Sequence, residues 1–148
     1  MCPAGAALYF FGSFEHAIDA RGRVAVPARY RHALGGGGVL RSSADGCIEL
    51  YTQEGFEAEV RTRLGDHAST RDLVGRRERR GFLPGAFMVE LDRQGRVLLP
   101  ASLREAAALE SRAIVVGCGD YVELWSPERW EAEAGVATEV NNGSGVDE

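Results

Sequence analysis

One stretch of this chain is used twice. Residues 16–31 read HAIDARGRVAVPARYR and residues 89–104 read VELDRQGRVLLPASLR, at a constant offset of 73. Seven of the sixteen positions are identical: Asp19/Asp92, Gly22/Gly95, Arg23/Arg96, Val24/Val97, Pro27/Pro100, Ala28/Ala101 and Arg31/Arg104. The echo continues downstream at an offset of 74, where Glu49-Leu50-Tyr51 matches Glu123-Leu124-Trp125 and Phe56 matches Trp130. One residue inserted in a loop accounts for the shift. A repeat this dense means that one supersecondary unit occurs twice. Each unit has only about 45 residues, too few to bury a stable core alone, so the two need each other or a partner chain.

Local chemistry sets the elements within each unit. Apolar residues over 9–18 and the run Val24-Ala25-Val26 read as strands, separated by Asp19-Ala20-Arg21-Gly22. Asp accepts backbone N–H groups inside a tight turn and Gly supplies positive φ, so 19–23 reads as a β-hairpin tip. Pro27 cannot continue a ladder but opens a helix, expected over 27–34. Gly35 to Gly38 then read as a flexible connection. Strands are expected at 39–41 and 47–51, and a helix over 53–64 with Thr52 as its N-cap and Phe56, Val60 and Leu64 on one stripe. A second helix over 70–80 carries Arg71, Arg76, Arg77, Arg79 and Arg80. The second unit repeats the order: strand 87–91, turn Asp92-Arg93-Gln94-Gly95, strand 96–99, a helix from Pro100 to about residue 109, strands 114–116 and 121–125, then a helix opened by Ser126-Pro127. Residues 1–7 read as a loose lead-in. The polar, glycine-rich segment 135–148 reads as disordered.

Several function classes are disfavoured. Cys2, Cys47 and Cys118 form no C-x-x-C pair and do not lie at ligand spacing from His16, His32 or His67, which argues against a disulfide framework and against any metal site. There is no run of 18 apolar residues and the start lacks a basic n-region, so the expectation is a reduced, cytosolic protein with no membrane association. No nucleophile elbow, zincin helix or phosphate loop is present, so no catalytic residues, cofactor or small-molecule substrate are expected. Net charge is −5, yet all 17 basic residues are Arg. Arginine forks suit phosphates and guanine edges, although codon bias gives the same composition.

The repeated D-x-x-x-R motif supports two readings. In one it is only a hairpin tip, with Asp and Gly making the turn and the arginines paired locally. In the other the arginines are the point. A turn needs Asp19 and Gly22, or Asp92 and Gly95, but it does not need Arg23 and Arg96. With Arg21 and Arg93 they place guanidinium groups at both tips, and an adjacent Asp can hold one in a single rotamer. Hairpin tips of this kind enter DNA grooves. The arginine run at 71–80 is interleaved with Asp72 and Glu78; it is open between a solvated helix, a DNA contact and pairing with acidic residues of a neighbouring subunit.

Over about residues 9–131 these features resemble the MraZ family, bacterial proteins with two SpoVT-AbrB-type domains. The carrying residues are Phe11-Gly12, Asp19 to Arg23, Pro27 to Arg31 and Gly46 to Tyr51, then Gly85-Ala86, Asp92 to Arg96, Pro100, Leu103-Arg104, Val116-Gly117 and Glu123 to Trp125. The resemblance implies an α+β fold, mainly β with short helices. It implies a tandem pseudo-symmetric double-split β-barrel, with repeats at 13–55 and 86–128 and a helical linker at 56–84. It implies a cytoplasmic, nucleoid-associated transcriptional regulator. Such a protein binds short direct repeats of double-stranded DNA upstream of its own division and cell-wall operon. The family's DNA-binding D-x-x-x-R motif maps to Asp19 with Arg23 and to Asp92 with Arg96, and with Arg21 and Arg93, read from the tips themselves, these are the expected DNA-binding residues. It further implies a closed homo-oligomeric ring, which would array the tips on one face and let an acidic subunit bind DNA. The alternative is an AbrB-like protein-interaction module such as an antitoxin.

Overall fold

The structure, a computed structural model, describes the backbone of residues 10–65 and 70–146, with side chains up to Glu139. The lead-in expected at 1–7 lies outside the described residues. In the first repeat the elements are β1 (Ser13–Ala17), β2 (Arg23–Ala25), α1 (Ala28–Arg31), β3 (Gly38–Ser42), β4 (Ile48–Thr52) and α2 (Gln53–Arg63), followed by α3 (Leu73–Phe82). The second repeat gives β5 (Phe87–Val89), β6 (Arg96–Leu98), α4 (Ala101–Ala106), β7 (Arg112–Gly117), β8 (Val122–Trp125) and α5 (Pro127–Val146). The fold is α+β, as the sequence indicates, with a six-stranded sheet, a two-stranded ribbon and helices of four to twenty residues.

The repeats interlock. Six strands form one sheet in the order β1-β7-β8-β4-β3-β5, and β2 and β6 form a separate two-stranded ribbon. Exchanging the repeats reverses the sheet order onto itself, which is a pseudo-twofold. Its axis passes near the pair Val24↔Val97 in the ribbon and the pair Glu49↔Glu123 in the sheet, both of which join equivalent residues. The strands flanking each tip part company. Ile18 and Val24 form a single bridge, after which β1 joins β7 and β2 joins β6. Likewise β5 pairs with β3 of the other repeat. Each repeat therefore completes the other's hydrogen bonding, and neither holds a full set of ladder partners by itself.

Side-chain alternation places the core. Along β4, Ile48 and Leu50 face inward while Glu49 and Tyr51 face the other side, and β7 and β8 alternate in the same way. The inward residues meet Val24, Val26, Val97 and Leu99 of the ribbon, and Tyr30, Leu34, Leu103, Ala107 and Leu109 from the α1 and α4 regions, in one cluster. On the opposite face Phe56, Val60 and Leu64 of the α2 stripe pack on Phe82 of α3, with Phe56 and Phe82 stacked at 5.6 Å. Trp130 of α5 packs on Trp125. The like charges Glu49 and Glu123 are tolerated in register because each has its own donors: Arg41 at 3.2 Å and Tyr51 Oη at 2.9 Å for Glu49, and Tyr121 Oη at 2.6 Å and Trp125 Nε1 at 2.8 Å for Glu123.

Several boundaries differ from expectation. The helix opened by Pro27 has only four residues. The chain then turns through Gly37, at φ +97°, and Gly38 is already inside β3 rather than in a flexible link. A Cβ on Gly38 would lie 2.7 Å from the Tyr51 carbonyl oxygen, so the glycine is required by close strand approach. The arginine-rich helix starts at Leu73, because the Asp72 carboxylate caps it by accepting the Gly75 N–H at 2.6 Å. The tail expected to be disordered from Gly135 instead continues α5 to Val146. Its first turn is anchored where Ser126 Oγ accepts the Arg129 N–H at 3.2 Å and Arg129 reaches the Gly46 and Ala106 carbonyls. Once a helix is nucleated in this way, extension adds one bond per residue.

Candidate nucleic-acid interface

Both tips are built the same way. Asp19 Oδ1 accepts the N–H groups of Arg21 and Arg23 at 2.9 Å each, and Asp19 Oδ2 accepts Arg23 Nε at 2.8 Å. In the second tip Asp92 Oδ1 accepts the N–H groups of Gln94 at 2.8 Å and Arg96 at 2.9 Å, and Oδ2 accepts Arg96 Nε at 3.1 Å. One carboxylate thus makes the turn with one oxygen and orients the arginine with the other. The backbone N–H of Arg23 is the largest influence holding the Asp19 carboxyl below its ordinary range, and that of Arg96 does the same for Asp92; the guanidinium groups add to both. The tips also touch, since Arg96 Nη1 lies 3.3 Å from Asp19 Oδ2.

The other repeat locks each tip from behind. Arg31 donates from Nε to the Val26 carbonyl at 2.9 Å, and Arg104 does the same to Leu99 at 3.0 Å. These guanidinium groups lie against the opposite tip's glycine. A Cβ on Gly22, at φ +86°, would fall 2.8 Å from Arg104 Nε, and one on Gly95, at φ +77°, would collide with Arg31. The tip carbonyls are used across the axis as well, with Val26 N–H on Gly95 O and Leu99 N–H on Gly22 O at 2.9 Å each. Together the two turns form one double tip, held by these contacts across the repeats.

What this double tip offers outward is uneven. Arg21 and Arg93 are exposed. The Arg23 and Arg96 side chains are 29% and 26% exposed, with Nε of each held on its own carboxylate. Among the described residues Arg23 commits only Nε, leaving four N–H groups free on its guanidinium. Arg96 also donates through Nη1 to Asp19 and through Nη2 to Gln94 Oε1.

The sequence that builds this double tip matches a known group of proteins. The family model described as "MraZ protein, putative antitoxin-like" matches residues 9–76 and 82–141. The chain belongs to the MraZ family. A protein of Thermomicrobium roseum is 49% identical over 127 residues, covering 84% of this chain and 87% of its own length. Proteins of Lactiplantibacillus plantarum and Heliobacterium modesticaldum are each 43% identical, covering 82% of this chain and 85% and 83% of their own lengths. All three are named "Transcriptional regulator MraZ".

Within this MraZ chain all six residues singled out from the sequence lie on the double tip. Sequence reasoning missed the locking role of Arg31 and Arg104. Their identity across the repeat was visible, but the fact that each serves the other repeat's glycine follows only from the interlocked ribbon. Of the arginine run, Arg76, Arg77, Arg79 and Arg80 lie on α3 and Arg71 precedes its cap; Arg77 and Arg80 are exposed. Burial, ahead of the neighbouring Glu123, pushes the thiol of Cys118 up to about 12 and raises that of Cys47 as well, so both stay protonated near neutral pH. Among the described residues, no three His, Cys, Asp or Glu side chains are grouped to hold a metal ion, and no helix is long and apolar enough to cross a membrane.

Proposed function

We propose that this chain is a sequence-specific DNA-binding transcriptional regulator that reads DNA with its double tip. The observation that carries this reading is the pair of Asp-braced arginines, Asp19–Arg23 and Asp92–Arg96, joined by the Arg96–Asp19 contact. Bracing limits the rotamers an arginine must give up on binding, and its free Nη groups match guanine O6/N7 or phosphate oxygens. Arg21 and Arg93 supply exposed charge beside them. The names of the relatives support a regulatory role. The target is the set of short direct repeats upstream of the protein's own operon of division and cell-wall genes. The working form is a cytoplasmic, nucleoid-associated closed ring that arrays many tips, and the protein is not an enzyme.

Mobility shift with DNA from upstream of its own gene tests this directly. Binding is expected to weaken with salt at a log–log slope of about −0.9 per phosphate neutralised. Equal affinity for that DNA and a scrambled sequence would refute sequence-specific reading. The family description favours one second reading, an antitoxin-like module that holds a protein partner. A stoichiometric small protein co-purifying in place of DNA binding would support it.

A further inference from the structure

α3 is the part of the fold without a counterpart. In the second repeat α5 takes the place of α2 after the matching strand, and among the described residues no helix of that repeat corresponds to the arginine helix laid on α2. The outer surface of α3 shows two exposed cations, Arg77 and Arg80, against one exposed carboxylate, Glu78, with Leu73 and Val74 standing 44% and 66% exposed beside them. Its inner surface is already engaged, through Phe82 and the buried Gly75. α5 has the opposite character. Glu128, Glu131, Glu133 and Glu139 are all exposed, with the apolar Val136 among them. Its one cation, Arg129, is committed to the carbonyls of Gly46 and Ala106.

Within one chain the two helices rest mainly on different strands, although α5 also reaches Gly46 of the first repeat. α2, which carries α3, packs on β3 and β4, whereas α5 packs on β7. Among the described residues no ion pair joins α3 to α5. The spacing nevertheless matches. Arg77 and Arg80 are three residues apart, as are Glu128 and Glu131, which places each pair on one helix face about 4.5 Å apart along the axis. Two helices laid side by side can pair both arginines with both glutamates, with Leu73 and Val74 beside the arginines to exclude water between them.

We infer that α3 of one copy docks on α5 of a second copy of this chain, through arginine–glutamate pairs flanked by these apolar side chains. The contact uses different surfaces on its two sides. It is therefore head-to-tail, the type that generates a closed ring when the rotation closes. The inference rests on the oligomeric part of the proposed function and supplies its joint. It leaves the tips free, and it assigns the α3 arginines to protein rather than DNA.

The test is a charge swap read by analytical ultracentrifugation of the full chain without DNA. Arg77→Glu with Arg80→Glu places like charge against α5, and Glu128→Arg with Glu131→Arg does so against α3. Each variant alone is expected to self-associate at least about tenfold more weakly than the unmodified chain, with unchanged circular dichroism. Mixed in equal amounts, the two complement each other at both kinds of joint, so assemblies containing both should reappear. Unchanged assembly of either variant would overturn the inference, as would failure of the mixture to reassemble. So would normal assembly combined with lost DNA affinity, which makes α3 a DNA contact instead. A monomeric unmodified chain would refute the ring itself, whereas an assembling chain indifferent to the swap refutes only this joint.

Discussion

Replacing Arg23 and Arg96 tests the double tip most directly. In Arg23→Ala the lost guanidinium has four N–H groups free for DNA, and in Arg96→Ala it has two, because Nη1 and Nη2 already donate to Asp19 and Gln94. A bidentate arginine–guanine contact discriminates by about 1–3 kcal/mol, or roughly 5- to 150-fold in affinity. Arg23→Ala is therefore expected to weaken operator binding by a factor in that range, with a smaller loss for Arg96→Ala and a combined loss in the double variant. Arg23→Lys keeps the charge but loses the fork, so it should restore nonspecific binding more fully than operator preference. Fluorescence anisotropy on operator and scrambled duplexes at several salt concentrations separates the terms. A lost base contact lowers the operator-to-scrambled ratio, while a lost phosphate contact lowers both affinities and flattens the salt slope by about 0.9. Both side chains lie outside the core, so thermal unfolding should stay near that of the unmodified chain. A folded double variant with unchanged affinity and salt slope would refute the reasoning.

Three further outcomes follow from the geometry. Gly22→Ala forces a side chain into positive φ against Arg104 and should cost about 1–2 kcal/mol in denaturant melts, whereas Gly36→Ala, in open space without positive φ, should cost little. The depressed carboxyls of Asp19 and Asp92 help the folded state fully above the ordinary Asp value of 3.8 and progressively lose that contribution as pH falls through their lower folded values. A pH series of melting temperatures should accordingly drop on the acid side, and the drop should be shallower in Asp19→Asn with Asp92→Asn. Residues 13–55 produced alone lack the strands that pair with β1, β2 and the outer edge of β3, so circular dichroism at micromolar concentration should show no cooperative melt of a monomer.

The sequence by itself determined the duplication, the turn chemistry and the element types, because these depend on residues close along the chain. Asp19 and Gly22 build a turn from five consecutive residues, Thr52 caps α2 three residues on, and alternation in β4 separates core from outer face. The DNA-facing candidates were legible for the same reason, as arginines that a turn of this size does not need. Tertiary structure decided how the copies meet. The pairing of β1 with β7, β5 with β3 and β2 with β6 depends on long-range burial that no local pattern encodes. Only that exchange explains why Arg31 guards Gly95 and Arg104 guards Gly22, and why two tips become one double tip. The helical course of α5 beyond Gly135 was also decided there. Its composition is poor in helix formers, and the anchoring of its first turn by Ser126, Arg129 and Trp130 supplies the nucleus that composition lacks.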